Sequence, residues 1–115
     1  MPDLQTDYLH RLIYFETTPP ADLDLLAASL VYRTFRSEEI IFVEGDPSAG
    51  LYIIEHGRVK VFKLNPEGTE HVLHLLGDGN TFNDIAALDG GGNPANAAAL
   101  SDTSLWLLPS DVLTQ

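Results

Sequence analysis

From Val31 onward this chain is cut into short β-favouring runs, VYRTFR, EIIFVE, LYIIE, RVKVFKL, EHVLHLL and SLWLLP. Turn signals divide them at Gly45-Asp46-Pro47, His56-Gly57, Asn65-Pro66-Glu67-Gly68 and Gly77-Asp78-Gly79-Asn80. Branched and aromatic side chains suit a pleated surface, and a recurrence of about ten to twelve residues is the rhythm of an all-β sandwich or barrel. Val59 and Val61 alternate with Arg58 and Lys60, which gives that strand one dry face and one solvated face. His56-Gly57 reads as a tight hairpin loop. Trp106 and Leu108 alternate with Leu105 and Leu107, and the outer pair is expected to pack on the core or under the amino-terminal helices.

Two segments leave this rhythm. At the start, Leu9, Leu12, Ile13 and Phe15 cluster on one side of a short helix that ends at Thr17-Thr18-Pro19-Pro20. A second helix follows, with Thr18 as cap, Pro19 in the first position, Asp22 and Asp24 near the positive end of the dipole, and Leu23, Leu26, Ala27 and Leu30 as its buried stripe. Later, Asn83 to Leu88 can form one or two helical turns, Gly90 stops them, and Gly91-Gly92-Asn93-Pro94 forms a loop. A helix entered from a Gly-rich turn presents free backbone N–H groups, so an anion could sit at its start.

Length and charge narrow the function. At 115 residues the chain suits one core, so residues 1–115 are expected to form one domain. No stretch approaches the roughly 18 apolar residues of a membrane span, and a cytoplasmic location is expected. With no cysteine there are no disulfides, thiolate metal sites or cysteine nucleophiles. Seventeen Asp and Glu against six Lys and Arg give a net charge of -11, which opposes binding to nucleic acid. The last basic residue is Lys63, and seven carboxylates follow it without a cation.

Catalytic patterns are missing. No nucleophile elbow or Walker loop is present, and a cupin-type metal site would need a pair of histidines two apart that this chain lacks. His71 and His74, three apart in one strand, are expected on opposite faces, while His10 and His56 lie on a helix and a turn. The expectation is a protein that is no enzyme, with no metal site and no cofactor.

One resemblance runs through most of the chain. Glu44-Gly45-Asp46-Pro47, Gly50-Leu51-Tyr52-Ile53-Ile54, Gly57-Arg58-Val59-Lys60-Val61, Gly68, Phe82 and Ala99-Leu100-Ser101-Asp102-Thr103 follow in the order and spacing of a cyclic-nucleotide-binding domain. The chain resembles the sensor domains of the cyclic-AMP receptor protein/Fnr superfamily. That resemblance implies a mainly β fold: a double-stranded β-helix, or jelly-roll-like barrel, with short flanking N-terminal helices and a cassette helix. It places a phosphate-binding cassette over Gly79 to Asn96.

In nucleotide-binding members the cassette reads Phe-Gly-Glu, followed some ten residues on by Arg-Ser or Arg-Thr. The Arg pairs with the cyclic phosphate and the Glu with the ribose hydroxyl. Here the residues are Phe82-Asn83-Asp84, and the Arg position falls at Asn93 or Pro94. Losing two charge-assisted bonds of roughly 1.5 to 3 kcal/mol each removes about two to four decades of affinity. The ligand-binding set carried over is a degenerate cassette: Gly79, Phe82, Asn83, Asp84, Ile85, Ala86, Asn93, Pro94 and Asn96.

The resemblance implies an effector-sensing domain of a transcription regulator whose small-molecule effector is unspecified and which does not take cyclic AMP in the usual way. The family's dimerisation helix and helix-turn-helix are not in this sequence. DNA would be reached only through that missing part, and the full-length protein would be a homodimer with no membrane partner. The alternatives are a stand-alone interaction module and a regulatory domain of a kinase or channel. Ser110 to Gln115 reads as the start of a further helix.

Overall fold

All six β-favouring runs form strands: β1 (Val31–Phe35), β2 (Ile40–Phe42), β3 (Gly50–His56), β4 (Val59–Leu64), β5 (Glu70–Leu76) and, near the end, β8 (Thr103–Pro109). Two further strands, β6 (Thr81–Phe82) and β7 (Asn96–Ala99), lie between β5 and β8, and helix α1 (Ser110–Leu113) follows. The computed structural model describes residues 28–83 and 91–113. The expected amino-terminal helices therefore lie outside the described residues, apart from helical Ala28 and Ser29. Among the described residues, no helix is long and apolar enough to cross a membrane.

The strands form two antiparallel sheets, in the orders β1-β8-β3-β6 and β2-β7-β4-β5. Each sheet alternates early and late strands, which is a mainly β, jelly-roll-like barrel. Between the sheets lie Tyr52, Ile54, Val59, Phe82, Ala97, Leu105 and Leu107, with Phe42 and Val61 packed against them. The Phe82 ring stacks on Tyr52 at 5.0 Å between centroids and lies 5.9 Å from Phe42. Trp106 faces the other way and covers Tyr32, at 4.7 Å.

The hairpin expected at His56-Gly57 is not there. β3 pairs with β8 and β6, β4 pairs with β5 and β7, and the connection carries the chain from one sheet to the other. Gly57 makes that corner possible: its φ is +124°, and a Cβ there would lie 2.7 Å from Thr103 Cα. The hairpin that does form joins β4 to β5. Its turn is closed by Gly68 N–H donating to Asn65 O at 2.9 Å and Asn65 N–H to Thr69 O at 3.1 Å.

The face of β4 expected to be solvated is dry at Phe62, 4% exposed with Lys60 over its ring, yet the strand keeps the alternation that puts Val59 and Val61 on the inner face. Its partner does not. Val61 lies opposite His74 but Phe62 lies opposite Val72, so Leu73 is an extra residue bulging from β5. The bulge shifts the phase of the strand. His71 opposite Lys63 and His74 opposite Val61 share one face, correcting the expectation that they point apart.

Candidate functional site

The inner face of β4 runs Val59, Val61, Lys63, so a strand that begins in the core ends on a cation. Beside it opens a cavity of about 510 Å³. Phe42, Val61, Leu73, Leu76, Phe82 and Ala95 supply its apolar wall, and Lys63, His74, Thr81 and Asn83 its polar groups, with Pro94 at the rim. His74 joins the lining by plain alternation from Leu76, since the two lie opposite Val61 and Val59 on the inner face of β4. Lys63 Nζ lies 3.7 Å from Glu44 Oε2, an ion pair too long for a hydrogen bond.

Asn83 stands at the edge of this cavity in the left-handed region, φ +67°. Asn is among the few residues other than Gly that tolerate this conformation, which accounts for its standing where the cassette pattern has Gly. Its Nδ2 donates to Ser48 Oγ and to Asn93 Oδ1, each at 3.0 Å, with Gly50 O at 3.3 Å. Its Oδ1 is buried and has no hydrogen-bond partner.

The remaining cassette positions divide sharply. Asn93 is 5% exposed and does structural work: its Nδ2 donates to Val43 O at 3.0 Å, its N–H to Asp46 O at 2.9 Å, and its carbonyl accepts from Gly45 N–H at 2.9 Å. Asn96, 8% exposed in β7, accepts from Glu44 N–H at 2.8 Å and lies 3.4 Å from Phe62 O through Nδ2. Gly79 turns the chain toward β6 with φ +83°, and its N–H is donated to Ile54 O at 2.7 Å. None of these three lines the cavity, whereas Phe82, Asn83 and Pro94 do. Asp84, Ile85 and Ala86, with the expected cassette helix, lie outside the described residues.

Among the described residues, no three His, Asp or Glu gather as metal ligands. Burial pushes the Tyr52 hydroxyl above its ordinary pKa, with Arg33 pulling weakly the other way, so the aromatic floor beside Phe82 stays uncharged at neutral pH. The polar cavity residues outside the sequence-based set are Lys63, His74 and Thr81. Alternation from Val59 could have pointed to Lys63, and alternation from Leu76 to His74.

Comparison with known proteins follows the same lines. The model of the cyclic nucleotide-binding domain matches residues 32–115. The cyclic AMP receptor protein of Thermus thermophilus is 34% identical over 94 residues, 82% of this chain and 44% of that protein. The CRP-like cAMP-activated global transcriptional regulator of Mycobacterium tuberculosis is 27% identical over 107 residues, 93% of this chain and 48% of that protein. This chain thus spans about half the length of these curated relatives. Among solved structures, the sensor domain of the transcriptional regulator DNR from Pseudomonas aeruginosa superposes with a TM-score of 0.91 at 26% identity, covering 97% of this chain and 75% of that one. With its two antiparallel sheets and this match along most of its length, the chain belongs to the cyclic nucleotide-binding domain family.

Proposed function

We propose that this chain is the effector-sensing domain of a Crp/Fnr-type transcription regulator, acting in the cytoplasm by binding and not by catalysis, and that it does not take cyclic AMP or cyclic GMP in the manner of nucleotide-binding members. One observation carries the second half. Where the cassette pattern calls for a phosphate-pairing Arg, the chain has Pro94 on the cavity rim, preceded by Asn93, which is buried and committed to Asn83, Val43 and Asp46. Without a cation there, the cyclic phosphate loses its charge-assisted anchor.

Relatives named as transcription regulators support the first half. Dimerisation and DNA recognition belong, on this reading, to the part of such regulators that the chain does not span, in keeping with a net charge of -11 that opposes duplex binding. An effector in the cavity would act by favouring one arrangement of the domain over another. Titration calorimetry of the unmodified domain tests the reading. No binding of cyclic AMP or cyclic GMP at micromolar concentration is expected, and micromolar or tighter affinity for either nucleotide would overturn it.

A further inference from the structure

The charge of the cavity runs against that of the chain. Its described lining holds one Lys, one His and no carboxylate, in a protein with 17 Asp and Glu against six Lys and Arg. The two other sizeable clefts mix the signs: one includes Arg58 and Asp78, the other Arg36, Glu39 and Asp102. Lys63 is held at the inner register of β4, and its acidic neighbour Glu44 stands 3.7 Å away without a hydrogen bond. A cation beside apolar walls, with its donors largely unspent, is poised to pair with an anion that brings its own hydrophobic body.

Resting on the reading of this cavity as an effector pocket, we propose that it takes an amphipathic anion, an apolar ring system bearing a single carboxylate, sulfonate or phosphate. Lys63 supplies the counter-charge from β4, and no cassette residue does. The rings lie among Phe42, Val61, Leu76 and Phe82.

Two matched fluorescent probes test this: anilinonaphthalene sulfonate, which has an apolar body, an N–H and one negative charge, and phenylnaphthylamine, the same body without the charge. Both are expected to bind the domain saturably. Lys63→Met should weaken the sulfonate about tenfold and phenylnaphthylamine less than about twofold, with Lys63→Arg restoring the sulfonate. Lys60→Met is the control. It removes the same charge from the same strand, but Lys60 Nζ lies on Glu70 at 2.6 Å and does not line the cavity, so sulfonate binding should persist.

If Lys63→Met and Lys60→Met weaken the sulfonate equally, or neither does, Lys63 is not the counter-charge and the proposal fails, while the cavity remains a binding site. If neither probe saturates on the unmodified domain, the proposal and the effector-pocket reading fall together.

Discussion

Asn83 and Asn93, ten residues apart in sequence, are joined side chain to side chain by a 3.0 Å hydrogen bond. The bond ties the end of β6 to the loop that enters β7, and through Asn93 Nδ2 it reaches Val43 O on the far side. Two positions that the cassette pattern assigns to the nucleotide are occupied with each other.

Asn93→Ala should therefore cost stability. It removes the donor to Val43 O and the acceptor for Asn83 in a site 5% exposed, and leaving such groups unsatisfied costs about 2 kcal/mol. Urea unfolding followed by circular dichroism should show the midpoint fall. Asn93→Arg should do no better, because its charge would start from a buried backbone position and not from the rim.

A cation meant for a cyclic phosphate belongs at Pro94, which is exposed and lines the cavity. Pro94→Arg is expected to raise cyclic AMP affinity by about one to two decades over the unmodified domain, as one charge-assisted pair allows. Calorimetry would show it, and unchanged affinity would mean that the rim does not face a bound phosphate.

Gly57 has no tolerated replacement. A Cβ would collide with Thr103 Oγ1 and stand 2.7 Å from Thr103 Cα, on a backbone at φ +124° that L residues rarely adopt. Gly57→Ala should destabilise by about 2 to 4 kcal/mol, whereas Gly68→Ala, with φ +84° and open space around it, should cost only about 1 kcal/mol. Thermal melts of the two variants side by side would separate steric closure from backbone strain.

The same corner has a pH signature. Gly57 N–H donates to Asp78 Oδ1 at 2.8 Å and holds that carboxyl below its ordinary pKa of 3.8, with His56 reinforcing the shift and partial desolvation opposing it. A depressed native pKa means stabilisation that is present above about pH 3.8 and lost as the pH falls through the native value. The difference in urea midpoint between the unmodified domain and Asp78→Asn should accordingly be open at pH 6 and narrow as the pH falls below the ordinary value of 3.8. A difference unchanged across that range would remove the link.

The six β-favouring runs were legible because β-branched and aromatic residues mark strands that cover one side of a core. β7 was not, since its sequence is Asn-Ala-Ala-Ala. It lies between β2 and β4 with every residue buried, and close packing there favours small side chains over β propensity. The corner at Gly57 was misread because a Gly after a polar residue marks a reversal without saying which sheet receives the chain. The absence of Lys and Arg after Lys63 was plain from residue types alone. The roles of Asn93 and Asn96 were not, because their partners Val43, Glu44 and Phe62 stand far away along the chain.

The pairing of β1 with β8 and of β2 with β7 has a kinetic side. These are nested closures, each joining early residues to late ones: one sheet is incomplete until β7 is in place and the other until β8 is. A chain emerging from the ribosome can form the β4–β5 hairpin by itself, but β1 must wait with its ladder unpaired until the residues after Thr103 are made. Both sheets therefore close late relative to the β4–β5 hairpin, and the exposed strand edges of the waiting chain are where a chaperone would be needed.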